Sequence, residues 1–182
     1  KLMFQKESHA IALFPGGFGT HDEGFEIMTL VQTGKSDPKP IVCLQAPGCD
    51  YWDHWNSFIT DQLLKRRLIN AEDLALFTIV DNVEDAVTEI RTFYRRYHSL
   101  RFVGRQLAIR LKTPLSATQV EEVQQQFSDM LTEGTFEQRP SLPEEIDEPG
   151  LKDLARLTFS FNRRNAGRLR QLINHLNQLP ST

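Results

Sequence analysis

The segment best suited to chemistry is a glycine-rich run that ends in two carboxylates. Its nine residues are Pro15-Gly16-Gly17-Phe18-Gly19-Thr20-His21-Asp22-Glu23. The run follows an apolar stretch and precedes apolar residues at helical spacing, which predicts a turn from a strand into a helix. Glycines let a backbone approach a ligand closely, and a helix N-terminus offers N–H groups and the positive end of its dipole. We therefore predict a phosphate-binding turn with four candidate residues: Gly16, Gly17, Gly19 and Thr20.

Spacing alone leaves two interpretations of the carboxylates open. Thr20 and Glu23 fit a capping box, in which the Glu23 carboxylate accepts a hydrogen bond from the Thr20 backbone. Alternatively, Glu23 polarises a water or contacts a ribose hydroxyl. Glu26 lies three residues further, on a similar helix face, and is a further candidate because capping explains a carboxylate pair poorly. Asp22 and His21 are expected to face solvent.

The elements that position this turn alternate between strand and helix. The predicted order is strand 10–14, helix 20–33, strand 41–44, helix 50–68, strand 76–80 and helix 83–97. Such alternation predicts an α/β fold with a parallel sheet and helices on both faces. Three strands are few for a doubly wound sheet, so we interpret the sheet as the C-terminal half of a Rossmann-like one. Ligands bind at the carboxyl ends of its strands, where the turn lies.

From about residue 99 the pattern changes to β-α-β-α. The predicted elements are a strand over 101–111, a helix capped by Ser116, an acidic loop over 137–149, a strand near 157–161 and a helix capped by Asn165. We therefore predict two domains, residues 1–98 and 99–182, of which the second is a small α+β module.

Composition narrows the class of protein. The 182 residues carry a formal net charge of -3, so no global basic field attracts nucleic acid or an anionic membrane. Two cysteines, Cys43 and Cys49, make neither a disulfide framework nor a zinc site, and we expect a reduced, cytoplasmic setting. No apolar run approaches the ~20 residues that span a bilayer. The histidines show no metal-ligand spacing, so no metal site is expected.

Two further clusters have structural and functional interpretations. Aromatic residues recur at helical spacing after residue 50, and core or dimer packing is favoured over base stacking: Tyr51, Trp52, Trp55 and Phe58. Four arginines flank the last helix, and a solvated face is favoured over a surface that senses RNA or nucleotides with Phe159 and Phe161: Arg163, Arg164, Arg168 and Arg170. The acidic stretch at 144–148 is expected to neutralise them.

The nine-residue run resembles the Pro-Gly-Gly-x-Gly-Thr-x-x-Glu signature of the LOG (LONELY GUY) family. These enzymes are nucleoside-monophosphate phosphoribohydrolases, often labelled lysine decarboxylases. The family usually carries an Arg-Lys pair in the preceding helix; Lys1 matches the lysine, and the arginine would precede it. The resemblance covers roughly residues 1–95. The tail resembles an extension on longer bacterial members, so we interpret the chain as the C-terminal portion of such a member.

The resemblance implies hydrolysis of the N-glycosidic bond of a nucleoside 5′-monophosphate. AMP and cytokinin riboside monophosphates are substrates of this type, and the products are the free base and ribose 5-phosphate. The 5′-phosphate would lie on the glycines and Thr20, Glu23 would be the catalytic carboxylate, and Lys1 would be a further site residue. No cofactor is implied, and a homodimer is expected because the family pairs subunits beside this site.

Two other functions remain as alternatives at this stage. In the first, the chain is a regulatory module whose glycine-rich turn binds a nucleotide or phosphate without turnover. In the second, the tail after residue 99 governs the assembly or regulation of a larger nucleosidase. A pyridoxal-phosphate decarboxylase is disfavoured because Lys35 and Lys39 lack the sequence context of a cofactor lysine.

Overall fold

The computed structural model describes residues 2–145 and 148–180, which form two compact units. The first comprises residues up to 93 together with 164–171, and the second comprises 94–163 with residues from 172 on. The predicted boundary after residue 98 differs from this division. Tyr97 already begins a strand of the second unit. Gly167 belongs to the first unit, where a Cβ added to it would be 2.5 Å from the Glu72 carbonyl carbon.

The first unit is α/β, as predicted. Its helices and strands are α1 (Leu2–Glu7), β1 (Ile11–Leu13), α2 (Phe18–Gln32), β2 (Ile41–Leu44), α3 (Tyr51–Phe58), β3 (Thr78–Val80) and α4 (Val83–Phe93). The three strands form a parallel sheet in the order β1-β2-β3, with Ile11 opposite Ile41 and Val42 opposite Thr78.

The central strand shows why helices cover both faces of this sheet. All four residues of β2 are buried, and successive side chains of a strand point to opposite faces. Ile41 and Cys43 belong to a core that includes residues of α2 and α3. Val42 and Leu44 belong to a second cluster with Ala86 of α4. A strand buried on both sides explains the uninterrupted apolar run in the sequence.

Two predicted helices of this unit end earlier than expected. The helix predicted over 50–68 is α-helical only to Phe58 and continues as a π-helix over Ile59–Leu64. A short 3-10 helix, Ala71–Leu76, then leads into β3. The helix predicted to reach residue 97 ends at Phe93. Apolar residues at helical spacing continue past Phe58 at Ile59, Leu63 and Leu64, and Tyr94 and Tyr97 follow Phe93, so the sequence pattern marks neither helix end.

The second unit is an antiparallel sheet with helical segments. Its elements are β4 (Tyr97–Val103), β5 (Gln106–Leu111), α5 (Ala117–Phe127), β6 (Glu137–Arg139), β7 (Ala155–Ser160) and the C-terminal part of α6 (Ala166–Gln178). The sheet order is β4-β5-β7-β6. The single strand predicted over 101–111 is a hairpin whose turn contains Gly104 at φ +59. The predicted caps are confirmed, because Ser116 accepts from the Gln119 N–H and Asn165 from the Arg168 N–H.

A row of arginines crosses this sheet and requires counter-charges. Arg110 of β5 lies opposite Arg156 of β7, which lies opposite Arg139 of β6. Like charges directly opposite each other destabilise a sheet. Glu145, which is 4% exposed, bridges the two buried arginines: its Oε1 is 2.8 Å from Arg110 Nε and its Oε2 is 2.9 Å from Arg156 Nε. Glu148 adds ion pairs to Arg110 and Arg101.

Glu145 and Glu148 of the acidic stretch form ion pairs with arginines of the sheet. Arg170, within the first unit, instead pairs with Glu89 at 2.9 Å and donates to the Lys39 carbonyl. Phe159 and Phe161 are buried, so neither is placed to stack on a base.

The Glu145 bridge yields a stability prediction. Burial opposes ionisation, but hydrogen bonds from Arg156, the Leu142 N–H and Arg110 outweigh it and lower the pKa of Glu145 to about 2. Removing one partner of a buried pair typically costs about 3–5 kcal/mol, because the remaining charges stay buried. We expect Glu145→Gln to lower the free energy of unfolding in urea by roughly 3 kcal/mol. Glu144→Gln, at an exposed neighbouring position, should change it by less than about 0.5 kcal/mol.

The bridge that Glu145 makes between the two arginines also predicts how stability depends on pH. A carboxyl group with a lowered folded-state pKa stabilises the fold above its ordinary value of 4.5, and this contribution is lost as the pH falls toward about 2. Unfolding followed between pH 5 and 2 should therefore show a steeper loss in the native chain than in Glu145→Gln. Equal slopes would show that Glu145 does not carry the ionic stabilisation.

Candidate active site

The glycine-rich turn joins the end of β1 to the start of α2. Gly17 is the N-cap residue, and its carbonyl accepts hydrogen bonds from Thr20 N at 3.1 Å and His21 N at 3.3 Å. None of the three glycines at positions 16, 17 and 19 has a φ in the left-handed region. These glycines therefore provide space rather than an unusual backbone conformation.

Gly16 and Thr20 are in close steric contact. A Cβ added at Gly16 would lie 2.2 Å from Thr20 Oγ1 and 3.2 Å from its Cβ. At Gly17 or Gly19 an added Cβ would meet nothing within 4 Å. Thus Gly16 allows the Thr20 side chain to pack against the turn, whereas Gly17 and Gly19 leave open space in front of the helix N-terminus.

Thr20 and Glu23 line the same cavity, which has a volume of about 440 Å³. Gly19, Ile27 and residues of β1 form its other walls. The capping interpretation of Glu23 is wrong, because α2 begins at Phe18 and Thr20 is already inside the helix. A second glycine positions α2 closely: a Cβ added at buried Gly24 would lie 3.0 Å from Leu13 Cδ1.

Two other candidates do not join this cavity. Glu26 lies with Asp22 in a separate depression on α2. The two carboxylates Glu23 and Glu26 therefore border different depressions, although side chains three residues apart are neighbours on a helix surface. Lys1 lies outside the described residues.

His21 does not face solvent as predicted, because it is half-buried in an aromatic cluster. Its ring stacks on Tyr51 with centroids 5.8 Å apart and an interplanar angle of 20°. Its Nε2 is 2.7 Å from Tyr51 Oη, and Tyr51 Oη also donates to the Gly16 carbonyl oxygen. Because the hydroxyl proton goes to Gly16, His21 Nε2–H donates to Tyr51. This relay, which we call the Tyr51 clip, ties α3 to both sides of the turn.

The first turn of α3 is held at the end of β2 by Gln45. The buried Gln45 side chain accepts from Trp52 N at 2.7 Å and donates to Asp53 Oδ2 at 2.8 Å. Sequence reasoning missed Gln45 and the Tyr51 clip. A polar residue directly after a buried strand was the available signal for Gln45, but nothing in the sequence pairs Tyr51 with residues 30 or more positions earlier.

The predicted packing role of the aromatic residues in α3 is confirmed for two of them. Trp52 is 1% exposed and Trp55 is 8% exposed, and their rings meet edge to face. Phe58 is exposed. Cys43 also lies in the core, where burial raises the pKa of its thiol to about 12.

The lysines considered for cofactor chemistry lie elsewhere in the unit. Lys35 and Lys39 border a cavity distinct from the one that holds Thr20 and Glu23. Lys39 Nζ donates to the Ser8 carbonyl at 2.9 Å. Burial lowers the pKa of this amine, and nearby Asp37 partly opposes the shift.

Within residues 2–145 and 148–180, no three His, Cys, Asp or Glu side chains are grouped so that they could hold a metal ion. No helix of the described chain combines the length and apolar character needed to cross a membrane.

Residues 1–90 match a known family. Its model is described as "Possible lysine decarboxylase". The match spans β1, the glycine-rich turn, α2 and most of α4, and includes none of the second unit. This match agrees with the resemblance to LOG enzymes at the level of the family. At that level only, it suggests nucleotide phosphoribohydrolase-type chemistry. The chain matches none of the curated proteins with which it was compared.

The contact between Gly16 and Thr20 predicts unequal effects of alanine at two adjacent glycines. Gly16→Ala forces the Thr20 side chain to move and should lower the free energy of unfolding by about 1–3 kcal/mol. Gly17→Ala meets no atom, so it loses only the preference of an N-cap position for glycine over alanine and should lower the free energy of unfolding by less than about 1 kcal/mol. Urea unfolding without ligand measures both variants, and equal costs would contradict the steric argument.

The Tyr51 clip predicts a local change in protection. Tyr51→Phe removes the hydroxyl that bonds Gly16 and His21, and a net hydrogen bond contributes about 1 kcal/mol. Amide hydrogen exchange in the first turn of α2 should therefore become about fivefold faster. Ser57→Ala is the matched control, because its hydroxyl bonds only within α3, to the Asp53 carbonyl. If exchange rises equally in both variants, the clip does not stabilise the turn.

Proposed function

We propose that the first unit carries the substrate-facing turn of a nucleoside 5′-monophosphate phosphoribohydrolase. The reaction is hydrolysis of the N-glycosidic bond to free base and ribose 5-phosphate, and AMP is the test substrate. The observation that carries the proposal is the convergence of Thr20 and Glu23 on one cavity at the N-terminus of α2. Its volume, about 440 Å³, falls in the range typical of small-molecule sites.

In this proposal the 5′-phosphate lies on the turn. The first N–H groups of a helix lack intrahelical acceptors, and the helix dipole favours an anion there. The open space at Gly17 and Gly19 admits phosphate oxygens close to the backbone. Thr20 adds a hydroxyl donor to the same cavity.

Glu23 lies one helical turn further along the same wall. Side chains three residues apart on a helix are neighbours, about 5–6 Å apart at Cβ, so the ribose of a bound nucleotide reaches Glu23 while its phosphate stays near Thr20. As the C1′–N bond breaks, its electron pair leaves with the base and positive charge develops at C1′. The Glu23 carboxylate stabilises this charge and accepts a proton from the water that attacks C1′. Glu23 then returns this proton through solvent to the departing base nitrogen, so that the free base is neutral and the carboxylate is regenerated.

A homodimer is part of the proposal. Phe18, within the glycine-rich run, is 96% exposed, and Phe14, directly before the run, is 59% exposed. Large apolar side chains grouped beside a site are typical of surfaces covered by a partner. A second copy that covers them would exclude water from the cavity and strengthen the electrostatic contribution of Glu23. Sedimentation of the chain with and without AMP measures the assembly.

The decisive experiment separates turnover from binding at one residue. Glu23→Gln keeps the size of the side chain but removes its charge, and it should lower the rate of adenine release from AMP at least 100-fold. AMP affinity should change by less than about threefold, because the phosphate contacts remain. Release is followed by chromatography of free adenine, and affinity by calorimetry.

Glu26→Gln is the matched control, because this carboxylate lies on the same helix but borders a different depression. It should retain most of the activity. If the unmodified chain binds AMP saturably but releases no adenine, the first unit is a nucleotide-binding module rather than a hydrolase. Equal loss in both variants would remove the special role of Glu23.

A further inference from the structure

The hydroxyl of Tyr51 determines which way the first peptide group of the glycine-rich turn points. It donates to the Gly16 carbonyl oxygen, so that this oxygen is held toward α3. No described peptide bond is cis, and in a trans peptide group the N–H points opposite to the carbonyl. The N–H of Gly17 therefore points away from the Tyr51 hydroxyl.

The start of α2 determines the direction of the next peptide group in the same manner. The Gly17 carbonyl oxygen accepts from Thr20 N at 3.1 Å and from His21 N at 3.3 Å, so it points into the helix. The N–H of Phe18 belongs to the same peptide group and therefore points out of the helix N-terminus. Two successive N–H groups thus have directions fixed by different contacts, one with α3 and one within α2.

Both N–H groups belong to residues that a ligand can reach. Gly17 and Phe18 are exposed, and a Cβ added at Gly17 would meet no atom within 4 Å. They are the N-cap residue and the first residue of α2, and N–H groups at these positions have no acceptor within a helix. Successive backbone N–H groups at a turn bind anions, and the dipole of the helix adds to the attraction.

The two hydrogen bonds of the Tyr51 clip depend on each other. A tyrosine hydroxyl has one proton, which it can donate either to the Gly16 carbonyl or to a His21 Nε2 that carries no hydrogen. When His21 Nε2–H donates to Tyr51 Oη, across 2.7 Å, the hydroxyl proton is left for Gly16. A hydrogen-bond donor at position 21 therefore keeps Tyr51 bonded to the turn.

Aromatic contacts fix the two rings that make these bonds. The His21 ring stacks on Tyr51 and lies edge-on to Trp52, with centroids 6.0 Å apart. The rings of Tyr51 and Trp52 meet edge to face at 4.9 Å between centroids. Trp52 is buried, and its backbone N–H donates to Gln45 at the end of β2. The orientation of the Gly16 carbonyl is thus imposed by the sheet and α3, from outside the turn.

We propose that Tyr51 and His21 are positioning residues for phosphate binding. By holding the Gly16 carbonyl toward α3, they present the N–H groups of Gly17 and Phe18 to a phosphate group. The inference rests on the proposed function for the identity of this group, the 5′-phosphate of the substrate, and adds how the turn is oriented to bind it. Both residues act through the backbone, so they change phosphate affinity and leave the chemical step unaltered.

Binding of inorganic phosphate tests this role without turnover. When phosphate is titrated into the ¹⁵N-labelled chain, the Gly17 amide signal should move downfield in a saturable manner, while that of Gly24, inside α2, stays in place. Tyr51→Phe keeps the ring but removes the hydroxyl, and it should weaken phosphate binding about fivefold, because the bond that orients the peptide group is lost. Ser57→Ala, whose hydroxyl bonds within α3, should bind phosphate as the unmodified chain does.

Two substitutions at position 21 separate the hydrogen bond from the ring stacking. His21→Gln keeps an N–H donor but removes the ring, and it should retain phosphate affinity within about twofold. His21→Phe keeps a ring to stack on Tyr51 but removes the donor, and it should weaken binding about fivefold. The reverse order would show that stacking orients the turn and would remove the role of the His21 hydrogen bond.

AMP turnover distinguishes this role from a failure of the hydrolase itself. In Tyr51→Phe, KM for AMP should rise about fivefold while kcat changes by less than about twofold, because only binding is weakened. If Tyr51→Phe weakens phosphate binding but the unmodified chain releases no adenine, the positioning role holds and the hydrolase is rejected. Unchanged phosphate affinity in Tyr51→Phe would overturn the positioning role at any rate of adenine release, as would the absence of saturable phosphate binding by the unmodified chain.

Discussion

The close approach of Thr20 to Gly16 is the constraint on which the candidate active site depends. Because position 16 has no side chain, the Thr20 hydroxyl packs against the turn and α2 begins immediately after Gly17. That starting point puts Glu23 one turn into the helix, on the side that faces the cavity beside β1. A side chain at position 16 would displace the Thr20 side chain from the turn.

The rest of the first unit keeps this turn in place by contacts at both ends. Gly24 lets α2 lie directly on Leu13, so the helix cannot shift away from β1 without exposing apolar surface. The Tyr51 clip and the Gln45 hydrogen bonds attach α3 to the turn and to β2. The second unit uses a different solution for its own sheet, in which one buried carboxylate offsets a row of arginines.

Much of the fold followed from patterns of short range. Continuous apolar runs predicted the three parallel strands, and Ser116 and Asn165 marked helix starts correctly because capping is a local interaction. Predictions failed where a local pattern was ambiguous. The apolar alternation from 101 to 111 does not show that the chain reverses at Gly104. Apolar residues at helical spacing do not distinguish an α-helix from the π-helix after Phe58.

The sequence by itself determined the type of site: a strand, a glycine-rich turn and a helix carrying a hydroxyl and a carboxylate within nine residues. This type of site can be recognised from the sequence because its residues are adjacent in the chain. Only the tertiary structure decided which carboxylate faces the cavity with Thr20, that His21 is bound by Tyr51, and that Glu145 lies between Arg110 and Arg156. These contacts depend on helix start points and on the packing of elements distant in sequence, and no local pattern specifies either.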